Sequence, residues 1–175
     1  MIEKVILIGF MGAGKTTVGE SLARKTGLPY LDIDEEIVRE QGMPVTEIFA
    51  RFGETRFREL EHEKLKELAE TSAIIATGGG IILNPLNREV LVTHPAPVVY
   101  LETDPHVFLK RLEGDTSRPL VQSKSKEEIQ AIFEPRIPHY QACADFIINT
   151  DQSTQDELAD QIIALLKTPD ISARS

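Results

Sequence analysis

Gly9-Phe10-Met11-Gly12-Ala13-Gly14-Lys15-Thr16 fits the spacing G-x-x-x-x-G-K-[ST], and that spacing holds phosphate. Glycines at 9, 12 and 14 open a backbone path closed to residues with a Cβ and let the chain approach a ligand closely. Successive N–H groups then turn inward as an anion nest, at a helix N-terminus whose dipole adds partial positive charge. In such a loop Lys15 reaches the β- and γ-phosphates of a nucleotide and the Thr16 hydroxyl ligates Mg²⁺.

Other residues suit chemistry at a second substrate. Asp32 and Asp34 flank Ile33 at the end of an apolar run, so strand alternation places both carboxylates on one side. There Asp34 is suited to align a hydroxyl or take its proton. Gly78-Gly79-Gly80 ends another apolar run; three glycines in a row cost chain entropy and point to a close ligand approach. Arg58 and Arg136 are planar forks that a fold can converge on one carboxylate. Arg118 lies in a stretch with no hydrophobic period and is placed to close on phosphates from a lid. His62, His94, His106 and His139 are scattered, with no metal-ligand spacing.

The elements that must position these groups alternate between short apolar runs and amphipathic helices, the pattern of an α/β fold with a parallel sheet. Strands are expected at Lys4–Ile8, Tyr30–Asp34, Ala73–Ala76, Val98–Leu101 and Phe146–Ile148. The first helix runs Lys15–Thr26 and stops at Gly27-Leu28-Pro29. A short helix Glu35–Gln41 follows, then another that stops at Gly53, then the longest, about Glu54–Glu70, with Phe57, Leu60, Leu65 and Leu68 as its apolar stripe. Asn84-Pro85 and Asp104-Pro105 each start a helix, the second over Pro105–Leu112. Capping boxes at Ser125/Glu128 and Thr154/Glu157 start two more; Pro135 and Pro138 must interrupt the first of these.

The 175 residues make most simply one domain. A net charge of −9 argues against nucleic acid or an anionic membrane as partner. One cysteine, Cys143, makes no internal disulfide and is expected to pack. No apolar run approaches a membrane span and no signal peptide is evident, so a soluble, cytoplasmic monomer is expected. Among nucleotide-binding classes, a GTPase is disfavoured because Asn149-Thr150-Asp151-Gln152 lacks the lysine and spacing of a guanine motif. An ATPase motor is disfavoured because the third strand ends in Thr77-Gly78, not in an acid. A small-molecule kinase fits best.

Taken together these motifs resemble the shikimate kinase family, over Val5 to about Lys167. The resemblance rests on the phosphate loop, Asp32-Ile33-Asp34, Phe57-Arg58-Glu59-Leu60-Glu61, Gly78-Gly79-Gly80, Arg118-Pro119-Leu120 and Arg136-Ile137-Pro138-His139-Tyr140. It implies a three-layer α/β/α P-loop fold with a five-stranded parallel sheet in the order 2-3-1-4-5. Within a single kinase domain over 1–175 it implies a helical substrate-binding subdomain near 33–60, a lid near 113–126 and a frayed tail at 168–175. The implied reaction is ATP-dependent phosphorylation of the shikimate 3-hydroxyl, with Mg²⁺ held by Thr16 and Asp32. Implied catalytic residues are Lys15, Asp34 and Arg118. Implied ATP contacts are Gly12, Ala13, Gly14, Lys15, Thr16, Thr17, Arg111 and Arg118. Implied substrate contacts are Asp34, Arg58, Gly79, Gly80 and Arg136, with Glu61 supporting Arg58 and with Val45, Phe49 and Phe57 as a wall. Thr17 stands where the family often has Ser-Thr spanning 16 and 17, and either hydroxyl suits Mg²⁺. A gluconate kinase-like enzyme and a non-catalytic nucleotide-binding module stay open as alternatives.

Overall fold

The computed structural model describes residues 2–10, 13–104, 106, 107, 110 and 125–167. Five parallel strands form one sheet in the order β2-β3-β1-β4-β5. They are β1 Val5–Ile8, β2 Tyr30–Asp32, β3 Ile74–Ala76, β4 Val98–Glu102 and β5 Phe146–Asn149. The central strand β1 is buried on both faces, as a parallel sheet covered by helices requires. Ile6 and Ile8 join one core with Ile33, Phe57, Leu65 and Tyr140. Val5 and Leu7 join the other with Val18, Leu22, Leu158 and Ile162.

The helices are α1 Lys15–Thr26, α2 Ile33–Gln41, α3 Val45–Ala69, α4 Pro85–Thr93, α5 Lys126–Phe133, α6 Ile137–Cys143 and α7 Gln155–Leu166. Gly27 closes α1 in the left-handed conformation. The Asn84, Ser125 and Thr154 side chains accept from backbone N–H groups two or three residues on, the expected caps. The two prolines turn the chain through a 3-10 segment, Glu134–Arg136, between α5 and α6. The helix expected over Pro105–Leu112 falls largely outside the described residues, although its cap is in place: the Asp104 carboxylate accepts from His106 N–H at 2.9 Å. Cys143 is buried, as a packing residue should be. Among the described residues no helix is long and apolar enough to cross a membrane.

One expectation is corrected. β2 does not run to Asp34; it stops at Asp32, whose carboxylate accepts from Glu35 N–H at 3.0 Å and caps α2. The N-cap bond satisfies an orphan donor of the helix, and it outcompetes another residue pair in the strand. Asp34 therefore projects from the first turn of α2 rather than from the sheet.

The two helices read on either side of Gly53 are joined end to end as α3, and Gly53 breaks the spiral at φ 84, ψ 166. That region is essentially closed to residues with a Cβ. Gly53→Ala should therefore cost roughly 1–3 kcal/mol, seen as a Tm lower by several degrees. An unchanged Tm would mean that α3 passes through position 53 without the break.

Candidate active site

The carboxyl ends of β1, β3 and β4 meet at one edge, where ligands bind in open α/β sheets. β1 runs into the glycine loop, and Gly14, at φ 93, is the left-handed N-cap of α1. Lys15 folds back to donate from Nζ to the Gly9 carbonyl. The Thr17 hydroxyl donates to the Gly14 carbonyl at 3.1 Å. Thr16 is exposed, beside the buried hydroxyl of Tyr30, which burial pushes up to about 12. Gly12, Arg111 and Arg118 lie outside the described residues.

A pocket of about 280 Å³ opens beside this loop, lined by Ala13, Gly14, Thr17 and Val18 and, from the far side, Thr150, Ser153, Gln155 and Leu158. The turn between β5 and α7 is a part of the site that motif reading missed. The signal was present: this turn follows a strand's carboxyl end, as Asp32 does. The turn is tied to α1 through the buried Ser21 hydroxyl, which donates to Asp156 in the first turn of α7.

The acceptor side assembles from four separate stretches. Asp34 comes so close to the glycine turn that a Cβ on Gly78 would lie 2.8 Å from its Oδ2. Its Oδ1 is buried and has no hydrogen-bond partner among the described residues. Burial, and then the like charge of Asp32, raise the Asp34 carboxyl to about 6 against the pull of Lys15 and Arg58. Arg58 lies against the same turn, its Nη1 2.7 Å from where a Gly80 Cβ would sit. That guanidinium is braced by Glu61 at 3.1 and 3.3 Å and stacks 5.5 Å from the Phe57 ring centroid. Glu61 is 1% exposed, and burial lifts its carboxyl to about 7 despite Arg58.

Arg136 completes the ring of groups. It rests 5.3 Å over the Phe10 ring, and its charge acts on the Tyr140 hydroxyl. That hydroxyl in turn donates to the Gly79 carbonyl at 2.6 Å. Arg58, 78 positions earlier in the sequence than Arg136, lies against Gly80 of the same turn. Phe49 and Phe57 pack at 4.9 Å between ring centroids, forming an apolar wall on α3. Such a site offers guanidinium forks to an anion and a desolvated carboxylate to a hydroxyl, next to a phosphate loop.

The shikimate kinase family model matches residues 11–167. A shikimate kinase from Enterococcus faecalis is 42% identical over 168 residues, 95% of this chain and 99% of that protein. One from Moorella thermoacetica is 44% identical over 168 residues, 95% and 96% of the two chains. Among solved structures, the shikimate kinase from Acinetobacter baumannii in complex with shikimate superposes with a TM-score of 0.87 at 38% identity, covering 95% of this chain and 93% of that one. With matches of this length and identity on a sheet of the expected order, the chain belongs to the shikimate kinase family of ATP-dependent kinases.

Proposed function

We propose that the residues above divide between them the transfer of the γ-phosphoryl group of ATP to the 3-hydroxyl of shikimate, giving ADP and shikimate 3-phosphate. The observation that carries this reading is Asp34 Oδ1, buried without a hydrogen-bond partner beside the glycine turn and within the field of Lys15 and Arg58. A substrate hydroxyl donated to that oxygen removes the cost of leaving it unmade. Asp34 then aligns the hydroxyl and takes its proton as it attacks phosphorus. Arg58 and Arg136 hold the ring carboxylate, Gly79 and Gly80 let the ring approach, and Phe49 and Phe57 exclude water from one side. Glu61 keeps the Arg58 fork in place.

On the nucleotide side the loop N–H groups cradle the phosphates, and Lys15 swings from the Gly9 carbonyl to the transferring group. Gly12, Ala13, Gly14, Thr16 and Thr17 complete the phosphate contacts. Arg118 closes on phosphate and substrate, and Arg111 lies near adenine. The donor set fits Mg²⁺. No cluster of three or more His, Cys, Asp or Glu suited to a metal occurs among the described residues. The Thr16 hydroxyl and the one Asp32 oxygen not engaged by Glu35 are hard oxygen donors. Mg²⁺ is usually held by one or two such groups plus water and substrate phosphate. When bound it neutralises charge on the phosphates. All the residues used come from one chain, so a monomer suffices.

A coupled assay of ADP release across acceptors tests the reading. Release with shikimate, and none with gluconate or nucleoside monophosphates, is expected; activity with gluconate alone would overturn it. Asp34→Asn should lower kcat by about 100-fold or more while ATP still binds. A kcat within about threefold of wild type, less than 1 kcal/mol of barrier, would remove the acid–base role.

The same carboxylate sets a pH dependence. It must be ionised to act, so kcat/KM should fall about tenfold per unit below pH 6 and level off above. Its folded value lies above its ordinary one, so the charged form opposes folding, and this contribution to stability is lost as pH rises from about 4 through 6. Asp34→Asn should therefore raise Tm at pH 8 and leave it nearly unchanged at pH 4. A flat kcat/KM profile down to pH 5 would show that another group limits the reaction. Arg136→Ala should raise the shikimate KM at least tenfold, one charged hydrogen bond being worth about 1.5–3 kcal/mol; an unchanged KM takes Arg136 out of the clamp.

A further inference from the structure

We infer that Asn87 is a positioning residue that holds Arg58 in register with the Gly79–Gly80 peptide, an inference that rests on the carboxylate clamp proposed above. The glycine turn is closed by a bond from Ile81 N–H to the Gly78 carbonyl at 3.2 Å, which leaves Gly79 and Gly80 as its two central residues. Its first end is fixed to the central strand. Thr77 donates to the Leu7 carbonyl from its hydroxyl at 2.8 Å and from its backbone N–H at 3.2 Å. Its second end is held by Asn87, in the first turn of α4, whose Nδ2 donates to the Ile81 carbonyl at 3.0 Å. Asn87 and Ile81 are both fully buried, so water does not stand in for that bond.

The other end of the same amide reaches α3, where Asn87 Oδ1 lies 2.6 Å from His62 Nδ1. A backbone carbonyl only accepts, so the amide nitrogen is committed to Ile81 and the amide oxygen to His62. His62 Nδ1 therefore carries the proton and donates. His62 follows Arg58 by four residues, one helical turn on, so the two side chains share a face of α3. Arg58 Nη1 in turn lies 2.7 Å from where a Gly80 Cβ would sit. One side chain thus ties the helix that carries the arginine to the turn that the arginine packs against. Recognition of a carboxylate by a guanidinium depends on where that fork is held. α3 and α4 are joined a second time at their carboxyl ends, where His94 Nε2 lies 2.8 Å from Glu70 Oε1. Glu70 is twelve residues past Arg58, about 18 Å along the helix, so this second link does not bear on the glycines.

The test measures kcat, the shikimate and ATP KM values and Tm for wild type, Asn87→Leu, His62→Leu, Glu70→Ala, Arg58→Ala and the double variant His62→Leu/Arg58→Ala. Asn87→Leu keeps the volume and loses both bonds. It should raise the shikimate KM about tenfold, with kcat within about threefold and the ATP KM unchanged. His62→Leu, at a half-buried position, cuts only the link to α3 and decides the matter should Asn87→Leu not fold. It should raise the shikimate KM about fivefold, again with the ATP KM unchanged. Glu70→Ala cuts the second link between the same two helices and should lower Tm without moving either KM. In the Arg58→Ala background, His62→Leu should add less than about twofold, because coupled residues are not additive. An unchanged shikimate KM in His62→Leu, an equal rise in both KM values, a rise in Glu70→Ala as large as in His62→Leu, or an undiminished effect in the Arg58→Ala background would each overturn the inference. An unchanged shikimate KM in Arg58→Ala would overturn the clamp itself, and the inference with it.

Discussion

A carboxylate taken out of water without a full set of hydrogen bonds is costly, and this molecule keeps one at Asp34. The surroundings make that state tolerable. Lys15 and Arg58 supply positive charge, while burial and Asp32 work against ionisation. The balance leaves the carboxyl at about 6, well above its ordinary value. Much of the site follows from this constraint. Arg58 is near enough to lower the Asp34 carboxyl against its burial. Glu61, buried and itself lifted to about 7, holds it in that position.

The glycine turn after β3 is the meeting point of these demands. Asp34 and Arg58 both approach within 3 Å of where side-chain carbons at Gly78 and Gly80 would sit. A Cβ at either position would displace a charged group rather than fill a void. Thr77, just before the turn, is buried and donates to the Leu7 carbonyl at 2.8 Å, locking the turn to the central strand. Three consecutive glycines are thus tied to the central strand on one side and packed against Asp34 and Arg58 on the other.

How legible this was in the sequence varies with the range of the interaction. The ends of α1, the caps at Asn84, Ser125 and Thr154 and the stop at Gly53 rest on contacts within a few residues, and each is where local chemistry put it. The strand order required the family resemblance, because hydrophobic runs do not say which neighbours they choose. β2 ends two residues short of its apolar alternation because the Asp32 side chain is taken up as a helix cap. The turn between β5 and α7 carries no motif of its own and joins the loop only across the pocket the fold creates.

The sequence by itself determined that phosphate is bound, that an α/β sheet carries the loop, and which acids and arginines are suited to a hydroxyl and a carboxylate. Residue type and short spacing suffice for these, since the backbone geometry of a loop or a cap is set locally. Only the tertiary structure decided that Asp34 has a buried oxygen with no hydrogen-bond partner, that Glu61 is buried, and that the Tyr140 hydroxyl holds the Gly79 carbonyl. Those properties come from desolvation and from contacts between residues as far as 61 positions apart. No local pattern encodes them; they exist only once the sheet has brought its carboxyl ends together.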